Sequence, residues 1–151
     1  MRREEAAATR RRVFAVLASA PEDMLVKLWR ESGLPDEATL LRGPETGLVA
    51  LRGRIGGGGS PFNFGEATVT RASVKLPSGE IGHAYALGRE REKVRISAIV
   101  DALHQKPEFA SEVDRKILEP LDSQLRERDE KRRAEIAATR VEFFTMTRGE
   151  D

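Results

Sequence analysis

Apolar residues follow two different periods along the chain, and the changes of period divide it into three stretches. In the first, Val13, Val16, Leu17 and Ala20 fall at i, i+3, i+4 and i+7, which places one apolar stripe on a helix from about Glu4 to Ser19. Pro21 restarts a helix, because proline suits a first helical position and the acidic Glu22 and Asp23 suit the first turn. Leu25, Leu28 and Trp29 form its buried stripe until Gly33 and Pro35 end it. Trp29 is read as core rather than as a binding platform, since it shares its face with two leucines.

After Pro35 the period becomes two. Val49, Leu51, Gly53 and Ile55 share one face of a predicted strand that should be buried, while Arg52 and Arg54 point the other way. A separate short strand over Thr39 to Arg42 is expected ahead of it, across Gly43-Pro44. Between Glu66 and Leu76 the apolar parity changes: Ala67 and Val69 are odd, whereas Ala72, Val74 and Leu76 are even. A β-bulge near Thr70-Arg71 would reconcile the two sets. That makes Arg71 the leading candidate for a purposeful charge, set against the plainer reading of a solvated or ion-paired strand arginine. Pro77-Ser78-Gly79-Glu80 closes a hairpin into Ile81 to Leu87. There Gly82, Ala84, Ala86 and Gly88 leave one face nearly bare, open to a helix or a partner. His83 lies on the opposite face with Ile81, Tyr85 and Leu87 and reads as a packed or rim histidine.

The helical period returns from about Glu90 to His104, with Ile96, Ile99, Val100 and Leu103 in register and Pro107 as the stop. A further helix is expected from Ser111, with Ser111 and Asp114 in capping-box-like spacing and Pro120 breaking or kinking it. Between Arg126 and Glu135 Ala134 is the one apolar residue. Glu127 with Lys131 and Asp129 with Arg133 stand at i, i+4, so this helix is polar all round. Beyond it come Val141, Phe143, Phe144 and Met146, an apolar cluster that reads as an anchor for another surface. The expectation is an α+β fold: an antiparallel sheet of three to four strands flanked by N-terminal and C-terminal helices, with a long polar C-terminal helix. It forms a single domain over residues 1–151, in which 122–151 are a protruding assembly arm.

Composition narrows the function classes. With 26 Lys and Arg against 25 Asp and Glu, the net charge is +1 and the signs are intermixed, which argues against a uniformly basic nucleic-acid face. No cysteine is present, so disulfides, thiolate catalysis and sulfur-ligated metal are excluded for this chain. Two histidines in different elements are too few for a histidine-based metal site. No stretch has the length of a membrane span or the form of a signal peptide, and a cytoplasmic location is expected.

Candidate chemistry is sparse. The run Gly56-Gly57-Gly58-Gly59 invites an anion, but Ser60-Pro61-Phe62 follows it instead of the Lys-Ser/Thr and helix of a nucleotide phosphate loop. The Leu87-Gly88-Arg89 junction offers a helix start beside a guanidinium. Arg54, Gly57, Gly58, Thr70, Arg71, Gly88 and Arg89 are therefore the anion-contact candidates. No metal site and no catalytic residue can be assigned.

Three separated stretches carry a resemblance: Pro44-Glu45-Thr46-Gly47-Leu48-Val49, Gly65-Glu66-Ala67-Thr68-Val69-Thr70-Arg71-Ala72 and Arg140-Val141-Glu142-Phe143-Phe144-Thr145-Met146-Thr147-Arg148-Gly149. With the Leu87-Gly88-Arg89 turn, they resemble the G-subunit (PhnG) family of the bacterial carbon–phosphorus lyase core complex over about Ala20 to Gly149. The resemblance implies a part in phosphonate catabolism. With the H, I and L subunits, such proteins are needed to transfer the ribose triphosphate moiety of ATP to methylphosphonate with release of adenine. It also implies a core complex with the H, I and J subunits, in which iron–sulfur radical chemistry belongs to J. MgATP would be the substrate of the complex, with no cofactor held by this chain. The implied role is mainly that of a structural partner of the I subunit. Val141, Phe143, Phe144, Met146 and Arg148 are the interface candidates, with self-association expected of the isolated chain and neither nucleic acid nor membrane as a partner. The alternative is a free-standing small-anion or nucleotide-binding module.

Overall fold

The computed structural model describes residues 2–54 and 58–138, with side chains from residue 8 onward. Two helices, α1 (Arg2–Ser19) and α2 (Glu22–Ser32), precede the strands β1 (Thr39–Gly53), β2 (Phe62–Lys75) and β3 (Ile81–Leu87). The helices α3 (Arg91–His104) and α4 (Pro107–Val113), a π-turn (Asp114–Leu118) and α5 (Glu119–Ala138) follow. The strands form one antiparallel sheet in the order β1-β2-β3. This is the expected α+β arrangement, with three strands.

The core is organised around α3. Ile96, Ile99, Val100 and Leu103 are fully buried, between the sheet's Ala72, Val74, Leu76, Ala84 and Ala86 and a helical layer contributed by α1, α2 and the C-terminal helices. Trp29 belongs to this core. The bare face of β3 is what lets α3 approach: a Cβ on Gly82 would lie 1.9 Å from the Ala98 carbonyl oxygen and 2.7 Å from the Ala102 nitrogen. At the β2–β3 turn the Gly79 amide donates to the Leu76 carbonyl at 2.9 Å, with Gly79 at φ 110°, a conformation that glycine adopts without steric cost.

The bulge lies elsewhere than the parity suggested. β2 pairs with β3 in unbroken register from Val69↔Leu87 to Lys75↔Ile81, so there is no bulge at Thr70-Arg71. The irregularities fall between Leu40 and Arg42 and between Arg42 and Glu45 on β1, and again between Leu51 and Arg52. They allow residues 39–53 to run as one strand through Gly43-Pro44, rather than as two. Both parities of β2 are buried because Val69 is covered on the outer face while Ala72 and Val74 meet α3.

The buried face expected for Val49 and Leu51 is not formed. β3 covers β2 only as far as Val69, so residues 48–53 and 62–68 continue as a two-stranded ribbon beyond the three-stranded sheet. Val49 is half-buried and Leu51 exposed. Leu48 at 64% and Phe64 at 60% exposure stand in solvent, with Phe62 and Phe64 ring centroids 6.1 Å apart. Of the two alternatives for His83 the rim position holds: it is exposed at the edge of the sheet, with Nδ1 2.8 Å from the Ser73 hydroxyl.

Two expectations for the C-terminal half change as well. The helix begins at Pro107 and not at Ser111, because proline takes the first helical position. Pro120 does not end the helical path, since the π-turn immediately before it absorbs the lost hydrogen bond. Past Leu125 every described residue of α5 is exposed, as its polar pattern required. Asp122 of α5 pairs with Arg12 of α1 at 3.1 Å and with Arg126 at 2.9 Å. The expected Glu127–Lys131 and Asp129–Arg133 pairs do not close. Ile55, Gly56 and Gly57 lie outside the described residues, as does the apolar cluster at 141–146 with Arg148.

Candidate functional site

The anion-contact candidates fall into two groups. Arg54 and Gly58 stand at the far end of the ribbon, Arg54 nine residues along the chain from Glu45 of the Glu45↔Arg71 pair, or roughly 30 Å at strand rise. Gly57 lies outside the described residues. Thr70, Arg71, Gly88 and Arg89 gather where β3 leaves the sheet.

Within that second group the polar atoms already hold one another. Thr70 is fully buried, donates its hydroxyl to the Gly88 carbonyl at 2.8 Å and lies 3.0 Å from the Thr46 hydroxyl. Gly88, at φ 95°, donates its amide to the Thr68 carbonyl at 2.9 Å. Arg71 donates Nε to Glu45 Oε1 at 2.6 Å, and the same carboxylate takes Arg42 at 3.1 Å. Arg89 is exposed. At the start of α3 the Lys93 amide, at 3.2 Å, meets the Glu22 carboxylate, and the buried Lys93 ammonium meets Glu90 at 3.0 Å. The carboxylate that suits a helix N-terminus is supplied by the chain itself.

Two features were passed over in the sequence. Asp101, 1% exposed, accepts from Arg10 Nε at 2.9 Å, from Arg10 Nη2 at 2.7 Å and from the His83 amide at 2.9 Å. That bond holds the Arg10 guanidinium above its ordinary pKa, against the opposing effect of its own burial. The signal was present: Asp101 is an acid inside the run Ile99-Val100-Asp101-Ala102-Leu103, next to a helical apolar stripe. The second feature is a groove of about 740 Å³ running from Arg11, Phe14, Ala15 and Ala18 of α1 across His83–Tyr85 to Arg71 and Arg42. No sequence pattern announces it, because its walls come from four separate stretches of the chain, on α1, β1, β2 and β3.

Among the described residues no group of three or more His, Asp or Glu could hold a metal ion. No described helix is long and apolar enough to cross a membrane. Comparison with known proteins is decisive for the family: the profile described as "Phosphonate metabolism protein PhnG" matches residues 8–149. The chain belongs to this family. A relative from Rhizobium meliloti (strain 1021) is 46% identical over 144 residues, covering 95% of this chain and 92% of that protein. It is named "Alpha-D-ribose 1-methylphosphonate 5-triphosphate synthase subunit PhnG". The family match takes in the groove, the ribbon and the C-terminal segment together, so the surface features described above lie inside the family domain.

Proposed function

We propose that the chain is a subunit of an α-D-ribose 1-methylphosphonate 5-triphosphate synthase in cytoplasmic phosphonate breakdown, contributing binding surface while the reacting groups come from the assembled complex. The observation that carries this reading is the near end-to-end match to a synthase subunit at 46% identity. Physical support comes from how the polar groups are spent: Thr70, Arg71, Gly88 and the α3 amide are engaged inside the chain. The ribbon and the outer sheet face, meanwhile, expose Leu48, Phe62, Phe64, Tyr85 and Leu87, an apolar surface suited to a permanent partner. The partners in this reading are the I subunit directly, H and J in a core complex and L functionally, with MgATP and a phosphonate as substrates of the whole. Co-expression of the tagged chain with the H, I and J subunits tests it. Recovery of all four in one gel-filtration peak is expected, and elution of the chain alone would contradict it.

A further inference from the structure

The ladder between β2 and β3 fixes which way each backbone group of β3 points. Leu76 donates to the Glu80 carbonyl and Gly88 to the Thr68 carbonyl, both at 2.9 Å, and these pairs continue the register of Ala72↔Ala84 and Thr70↔Ala86. Hydrogen-bonded and non-bonded pairs alternate along an antiparallel ladder. Gly82, Ala84 and Ala86 therefore turn their amides and carbonyls toward β2, while Ile81, His83, Tyr85 and Leu87 turn theirs to the free edge.

One half of that edge is closed. The Ile81 carbonyl accepts from Gln105 at 2.9 Å and from Arg10 at 3.5 Å, and the His83 amide donates to Asp101 at 2.9 Å. Among the described residues, the His83 carbonyl, the Tyr85 amide and carbonyl and the Leu87 amide have no such partner. Chains commonly blunt a free edge with lysine, proline, a bulge or a cover; the Tyr85-Ala86-Leu87 stretch has no such lysine or proline, and its ladder runs without a bulge. It borders the groove. The wall contributed by α1 is Phe14, Ala15 and Ala18, where the two alanines leave room, and the far side carries Arg42 and Arg71. Arg11 also lines the groove, so three guanidinium groups stand around it against the single Glu45 carboxylate.

We propose that this half-edge receives an extended segment of a partner polypeptide as a fourth strand, with small or apolar side chains toward α1 and acidic side chains toward Arg42 and Arg71. Backbone pairing supplies the affinity, and the arginines supply the choice of sequence. The proposal rests on the subunit reading above and takes the partner to be another subunit of that complex.

Amide hydrogen exchange on the isolated chain and on the purified complex tests it. The Tyr85 and Leu87 amides exchange freely in the isolated chain and slow by about tenfold or more on assembly, as newly bonded amides do. Unchanged exchange in an intact complex overturns the proposal and leaves the subunit reading standing. Failure to form any complex overturns both. Protection already present in the isolated chain shows that a second copy or residues 139–151 fill the edge, which overturns the partner assignment; dilution separates those two cases. Tyr85→Pro removes one outward amide while leaving the ladder to β2 intact, an edge position that tolerates proline. It keeps the native circular dichroism spectrum and loses at least tenfold in affinity for the partner, whereas Tyr85→Phe keeps both. Full-strength assembly by a folded Tyr85→Pro chain counts against the strand.

Discussion

Gly82 and Asp101 are the two residues on which the junction of sheet and helix depends most directly. At Gly82 a methyl group would have to occupy space 1.9 Å from a backbone carbonyl oxygen, and backbone cannot move aside as a flexible side chain can. Gly82→Ala is expected to cost about 2 kcal/mol or more, within or above the usual range for an overpacked core, measured by urea denaturation. Asp101 joins three elements through one carboxylate: α1 by Arg10, β3 by the His83 amide, and its own helix. Asp101→Ala leaves a guanidinium and an amide without their acceptor, and a loss of about 3 kcal/mol is expected by the same measurement. Asp101→Asn, which still accepts from the His83 amide, should lose less. If the two substitutions proved equally mild, the carboxylate would not be the junction described.

At the scale of elements, α5 separates what was legible in the sequence from what was not. Its polar pattern foretold a solvated helix, and the structure has one; the proline within it foretold a break, and the structure has a π-turn that passes the chain through. Helix stripes were readable because burial is repeated at every turn, as with Val13, Val16, Leu17 and Ala20. The β1 face was misread because alternation alone cannot distinguish a strand covered by a helix from one in a projecting ribbon, and what covers Leu51 depends on where β3 stops. The bulge was misplaced for a related reason: parity in β2 reported two buried faces, while the extra residues opposite Arg71 to Val74 sat on β1 and the one further along β2 is Phe64. Asp122, which ties α5 to α1, feels a desolvation that raises its pKa, but bonds from Arg12 and Arg126 outweigh this and hold it below the ordinary carboxylate value. Glu112 is held low by Lys116. Such groups contribute stability above their unfolded pKa of about 4 and lose it as pH falls through the lower folded value. Asp122→Asn is therefore expected to lower the melting temperature on the plateau above about pH 4 and so to flatten the acid limb, with the two chains converging at low pH. An unaltered acid limb would show that the α1–α5 pair is not formed in solution.

For the molecule as a whole, one half is packed and one half is offered. The helices and the inner sheet face make a closed core, whereas the ribbon, the outer sheet face and the far part of α5 bury little of their own. Deleting residues 139–151 is expected to leave the circular dichroism spectrum and melting temperature of the remainder nearly unchanged, since among the described residues the buried core runs from Val13 to Leu121. A role for that segment in holding the I subunit then predicts loss of co-purification, and full-strength co-purification of the truncated chain would assign assembly to the ribbon and the sheet edge. The central claim is that this chain completes a synthase through its surfaces. Adenine release from MgATP and methylphosphonate, measured with the H, I and L subunits and with this chain present, absent or alone, tests it most directly. Release is expected when all four are mixed, and none above background when this chain is omitted or supplied by itself. Turnover by the chain alone, or an undiminished rate without it, would contradict the account.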